Sequence, residues 1–270
     1  MRALLGVAWS PVAAALPDLG GLIDLVEVPG WALTDLHPRP PRHLVLHNLD
    51  LDVSLADPHY IDAAWGARAR AAIEATRTPW FSLHLGFASE RVRFAGHMLP
   101  ESPPLPREEL RDRIVASVVR AREALGTDMP LLLENLDYCP EGAYEHVCEP
   151  EFISEVLDAT NCGLLLDLAH LRVTASWFGL EAETMLERLP IERVAEVHLS
   201  SPRVLDGNSG RLDDVHEILT ERDIELLRAV LSSSNPRAIV LEYKRDPVLL
   251  RQQLARLGTV IGRTRRVVAC

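Results

Sequence analysis

Eight short apolar runs punctuate the chain, at residues 4–8, 23–28, 44–47, 80–85, 130–134, 164–167, 194–199 and 238–242. Most are apolar throughout instead of alternating, which predicts strands buried on both faces. Helical patterns lie between them. Residues 57–76 are Ala-rich and open on Asp57-Pro58, an N-cap followed by proline in the first turn. Residues 106–125 put Leu110, Ile114, Val118 and Ala121 on one stripe and stop at Gly126. Residues 150–159, 181–189, 220–231 and 247–257 complete the predicted helices, while the first two connections are short and poorly helical.

Strands alternating with helices predict a parallel sheet, and eight such units close most simply into a single (β/α)8 TIM barrel spanning residues 1–270. An open doubly wound sheet is the alternative, but no Gly-x-Gly-x-x-Gly turn follows the first strand. Two connections are long enough to be binding loops: 86–106, with Phe87, Phe94, His97 and Met98, and 200–217, with Arg203, Asn208, Gly210 and Arg211.

Composition narrows the partners. A net charge of -11 disfavours nucleic acid, whose binding rests on Lys and Arg. Cys139, Cys148, Cys162 and Cys270 form no Cys-x-x-Cys pair and are expected to be free thiols in a reducing cytosol. The N-terminal residues read as a first strand, not a signal peptide, and no apolar run approaches the ~18 residues of a membrane span. The expectation is a soluble cytoplasmic protein with no membrane partner.

The ends of the runs carry the chemistry. His47, His84, Glu134, Asp167, His198 and Glu242 stand at or near the C-terminal ends of the third to eighth strands, the face where barrel enzymes build their sites. His170 lies three residues past Asp167, within reach of the same rim. Asp214 and His216 are two apart and point the same way if extended. Each residue alone has an ordinary structural reading. Five imidazoles and four carboxylates buried together are costly without added positive charge, which divalent cations supply. The set exceeds the needs of one ion and suits two or three, bridged by a carboxylate. His, Asp and Glu without Cys fit zinc, iron or manganese. Glu27, near the end of the second strand, is expected to face the same mouth if the register holds, as a supporting or substrate group. His43 begins a strand at the opposite end, and His37, His59, His97 and His146 are expected in solvent.

The order His47, His84, Glu134-Asn135, Asp167, His198, Asp214-x-His216, Glu242 resembles the multinuclear non-haem iron-dependent oxidative enzymes, along nearly the whole chain. Leu46-His47-Asn48-Leu49, Ser82-Leu83-His84-Leu85, Leu132-Leu133-Glu134-Asn135 and Glu196-Val197-His198-Leu199 carry the likeness. Three segments depart from the family pattern: Leu85-Gly86, Asp167-Leu168-Ala169-His170 and Asp214-Val215-His216-Glu217. The resemblance implies a barrel holding two or three irons that uses dioxygen to rework residues, often cysteine, in a ribosomally made peptide. It also implies a small partner protein that presents the peptide. Asn135, Arg203 and Arg211 are the candidate substrate-binding residues.

The ligand order is similar as well to the endonuclease IV family of trinuclear-zinc barrels and to the xylose isomerase-like sugar isomerases. That likeness would assign His47, His84 and Glu134 to one ion, Glu134, Asp167, His198 and Glu242 to a second, and His170, Asp214 and His216 to a third. A zinc- or manganese-dependent hydrolase, sugar isomerase or epimerase therefore stays open, as does a non-enzymatic metal binder.

Overall fold

The computed structural model describes residues 2–36, 42–205 and 210–262; His37, Asn208 and Cys270 lie outside them. All eight apolar runs form strands: β1 (Leu4–Ala8), β2 (Leu25–Pro29), β3 (His43–His47), β4 (Phe81–His84), β5 (Leu131–Glu134), β6 (Gly163–Asp167), β7 (Val194–Leu199) and β8 (Ala238–Leu241). They pair in parallel in chain order, and β8 pairs with β1, which closes the barrel. The closed sheet is a TIM barrel.

Side-chain alternation divides each strand between two cores. Leu25, Val45, Trp80, Leu132, Leu165 and Val240 pack together inside the barrel, apart from the main core. Two positions further along from each stand Glu27, His47, Ser82, Glu134, Asp167 and Glu242. One apolar layer of the lumen thus supports one polar layer at the C-terminal mouth. The intervening residues, such as Leu46, Phe81, Leu133, Leu166 and Leu199, belong to the larger core beneath the helices.

Among the described residues, six helices of eleven residues or more surround the sheet: α1 (Ala63–Thr76), α2 (Arg107–Leu125), α3 (Pro150–Thr160), α4 (Leu168–Phe178), α5 (Glu221–Ser233) and α6 (Pro247–Val260). Helix α1 starts later than the Asp-Pro signal predicts. Asp62 is its cap, accepting from Trp65 N at 2.7 Å, while Asp57 is used in a turn that accepts from His59 N. Helix α4 falls outside the predicted set. Leu168, Ala169, Leu171, Val173, Thr174 and Ala175 are all buried, so no polar stripe marks its period. The two long connections are not structureless: each holds a β-hairpin, Val92–Phe94 with Met98–Pro100 and Ser201–Val204 with Leu212–Glu217. No described helix is long and apolar enough to cross a membrane.

Candidate metal centre

Register brings the strand-end residues side by side. His84 is level with Glu134 across β4 and β5, and Asp167 with His198 across β6 and β7. Glu134, which is 2% exposed, is the hub. Its Oε2 lies 3.2 Å from His47 Nε2 and 3.4 Å from His84 Nε2. Its Oε1 lies 3.4 Å from His198 Nδ1 and 3.6 Å from His170 Nδ1. Glu242 Oε2 is 3.8 Å from His198 Nδ1 and 3.2 Å from His216 Nε2. Asp214 Oδ2 is 3.1 Å from His216 Nδ1 and 3.8 Å from His170 Nε2. Asp167 joins through Glu134 and His198, with donor atoms of all three within 4.8 Å of one another. The nine residues singled out in the sequence form one connected cluster.

Local structure aims them. Asp167 ends β6 and caps α4, accepting from His170 N at 2.7 Å, so one turn of helix returns His170 to the rim. The Leu212–Glu217 strand presents Asp214 and His216 on one side, with a left-handed φ of 49° at His216 just before its last residue. Outer partners hold the rings: His47 Nδ1 meets Ser82 Oγ at 2.9 Å, His170 Nδ1 meets the Asn135 carbonyl at 2.8 Å, and His198 Nε2 meets Glu27 Oε2 at 2.7 Å. At His198 the partner on Nε2 fixes the tautomer and leaves Nδ1 toward Glu134, whereas His47 Nε2 also meets Asn48 Nδ2 at 2.7 Å.

Burial opposes charge on every one of these groups. Against it, Asp167 and Asp214 hold the His170 ring well above the usual imidazole range, and Glu27 and Glu242 do the same for His198. Also against burial, Glu134 raises His47 and Glu242 raises His216. His47 and His198 hold Glu134 well below the usual carboxylate range despite burial, as His198 and His216 do Glu242. Asp214 is lowered by His170 and His216 against the same opposition. Burial prevails at His84, brought down to about 4, and at Asp137 and Asp167, each pushed up to about 6.

Glu134 Oε2, Asp167 Oδ2 and His198 Nδ1 are buried without a hydrogen-bond partner among the described residues. Folded proteins rarely leave such atoms unmatched, because each costs about 1–3 kcal/mol. Two carboxylate oxygens and a ring nitrogen converging in this way are the donors a cation requires, and the donor set fits a multinuclear site.

A cavity of about 430 Å³ opens above the cluster. Its lining is polarised by topology. Trp9, Trp31, Leu51, Phe87 and Phe94, which follow β1 to β4, make one side mainly apolar beside Asn48 and His97, whereas Asp137, His170, Asp214, His216, Glu242 and Lys244, which follow β5 to β8, make the other mainly charged beside Leu136 and Tyr144. His97 also lines it, with Nε2 buried and without a hydrogen-bond partner among the described residues, so it is not the solvated loop residue its sequence context predicts. The hairpin across residues 92–100 folds it inward. His146 is half-buried and paired with Glu149 Oε1 at 2.9 Å, also unlike the solvent position expected.

The three candidate substrate-binding residues sit elsewhere. Asn135 is buried, donating to the Asp167 carbonyl at 3.0 Å and accepting from Asp167 N at 2.8 Å, so it clamps β5 to β6 below the cavity. Arg203 pairs with Glu217 Oε2 at 2.9 Å, and Arg211 donates to the Ser176 carbonyl. None of the three lines the cavity. Sequence reasoning passed over Asp137, Glu196 and Lys244. Asp137 follows Glu134 at the same three-residue interval that separates His170 from Asp167, a usable signal. Glu196 lies two residues below His198 inside the lumen, where Trp80 Nε1 donates to its Oε2 at 2.7 Å.

Fold and centre together define an enzyme-like TIM barrel with a many-donor His and carboxylate cluster at its C-terminal mouth. A family model described as "RiPP precursor modification enzyme MbnB/TglH/ChrH" matches residues 28–260, and the chain belongs to that family. A UPF0276 protein of Paraburkholderia phytofirmans is 33% identical over 167 residues, which are 62% of this chain but only 51% of that one. The UPF0276 protein BPP1075 of Bordetella parapertussis is 29% identical over 262 residues, 94% of this chain and 86% of that one. Among solved structures, a D-tagatose 3-epimerase-like protein superposes with a TM-score of 0.65 at 17% identity, with both chains fully covered. Endonuclease IV from Thermus thermophilus superposes with a TM-score of 0.62 at 18% identity, covering 98% of this chain and 100% of that one. Those two likenesses concern the fold.

Proposed function

We propose that the cluster holds two or three iron ions and that the protein uses dioxygen to oxidise a residue, cysteine foremost, of a ribosomally made peptide. The observation that carries this reading is the convergence of unmatched buried donors at Glu134, Asp167 and His198, in a chain of a family that modifies RiPP precursors. His47, His84 and Glu134 would hold one ion, Glu134, Asp167, His198 and Glu242 a second, and His170, Asp214 and His216 a third. The two Glu134 oxygens face different ring pairs, as a bridging carboxylate requires. Iron, when bound, supplies one-electron chemistry with dioxygen toward a substrate thiol.

The chain's own residues do the rest. The apolar wall strips water from the peptide segment entering the cavity, which strengthens every polar contact inside it. Asp137, whose carboxyl burial pushes up to about 6, lines the cavity with its Oδ1 4.0 Å from His170 Nε2, at the mouth of the site. The whole chain acts as one catalytic unit in a reducing cytoplasm, consistent with free Cys139, Cys148 and Cys162, and a small partner protein presents the peptide.

Metal analysis of anaerobically purified protein tests the reading. Two or three irons per chain, with dioxygen uptake on adding a cysteine peptide, are expected. Zinc alone with phosphodiester hydrolysis, or manganese alone with sugar epimerisation, would replace it by the hydrolase or epimerase reading.

A further inference from the structure

Lys244 is the only lysine of the chain; every other basic side chain apart from histidine is an arginine. It stands two residues past Glu242, exposed, and among the described residues it is the one Lys or Arg that lines the cavity. Its neighbours are committed: Glu242 Oε2 faces His216 at 3.2 Å, and Arg245 is bound to Glu217. Among the described residues no carboxylate lies within ion-pair distance of Lys244. The arginines of the hairpin nearby are also engaged, Arg203 with Glu217 and Arg211 with Ser176. An ammonium carrying a compact point charge on a flexible stem is thus left over the charged wall of the mouth.

We infer that Lys244 is an anion subsite that receives a carboxylate of the peptide and orients the modified residue toward the cluster. This rests on the peptide-modifying reading above and adds a substrate class to it: a peptide with a carboxylate close to the residue that reacts. The same wall carries three carboxylates, Asp137, Asp214 and Glu242, beside the rings of His170 and His216. A substrate carboxylate paired with the exposed Lys244 is repelled by the three carboxylates beside it, which favours one register. The apolar wall opposite takes the uncharged side chains of the same segment.

The carboxylate can come from the peptide C-terminus or from an acidic side chain, and three probes separate these sources: N-acetyl-Phe-Cys with a free carboxylate, the same dipeptide as its amide, and N-acetyl-Asp-Phe-Cys amide. Binding to the iron-loaded protein is measured under argon by tryptophan fluorescence, with metal content determined in parallel. Wild type is expected to bind at least one carboxylate probe about tenfold more tightly than the amide, and less so as salt rises. Lys244→Met should abolish that preference with metal content and amide affinity unchanged, and Lys244→Arg should retain most of it. Absence of a carboxylate preference in wild type overturns the inference. So does a loss in Lys244→Met that is equal for all three probes, or a loss of metal, which would place the role of Lys244 at Glu242. Dioxygen uptake with the amide probe reports on the peptide-oxidising reading separately, since that probe does not need Lys244.

Discussion

Glu196 is the sharpest test of the electrostatics inside this barrel. It lies level with Leu165 and Ala238 in the apolar layer and is fully buried. Trp80 Nε1 satisfies its Oε2, but Oε1 has no hydrogen-bond partner among the described residues, and donor atoms of Glu27 and His198 lie within 4.8 Å. Burial first, and then the nearby Glu27, push its carboxyl from 4.5 up to about 7, against the pull of His198. Between those pH values the folded chain keeps a proton that the unfolded chain has released. Stability must therefore fall as pH rises from 4.5 to about 7. At about 1.4 kcal/mol per pH unit the loss approaches about 3 kcal/mol. Glu196→Gln keeps the shape, accepts from Trp80 through its amide oxygen and has no charge to bury. In chelator-treated protein the variant should match wild type near pH 5 and exceed it by about 3 kcal/mol at pH 8. Urea denaturation followed by circular dichroism between those pH values measures both profiles. Parallel profiles, or a wild type that gains on the variant as pH rises, would refute the reasoning.

Three further outcomes are expected. Glu27→Gln removes the charge held 2.7 Å from His198 Nε2, and metal affinity should drop about 10–100-fold in chelator competition, with an unchanged affinity excluding the proposed support role. His170→Ala should lower the metal content by one ion per chain, read by elemental analysis, and full content would show that the third assignment is wrong. Asn135→Ala strips partners from both the N–H and the carbonyl of buried Asp167, and should cost about 1–3 kcal/mol in denaturation; a neutral change would mean the clamp does not hold β6.

Much of the centre was legible because strand period and strand end coincide here. Apolar runs finishing on His47, Glu134 and Asp167 state both that a buried strand stops and that a polar group stands at its mouth. Asp167 and His170 could be grouped from their spacing alone, although the helix that enforces it, α4, was not visible, since its turn is buried nearly all round. Arg203 and Arg211 show where reading stops. Their loop context offered free cations, and only the folded hairpin shows both of them engaged. His97 errs the other way, a loop histidine folded inward by a hairpin turn.

From its residue order alone this chain determined eight buried strands, their closure into a barrel and the side chains that crown it, because alternation and burial are local consequences of the pattern. Only tertiary structure decided which oxygens and nitrogens face one another, which cations are already spent, and that Glu196 lies stranded beneath the centre. Those facts depend on distances between strands far apart in sequence, such as the 2.7 Å between Glu27 and His198, and on a balance of burial against neighbouring charge that no single stretch contains.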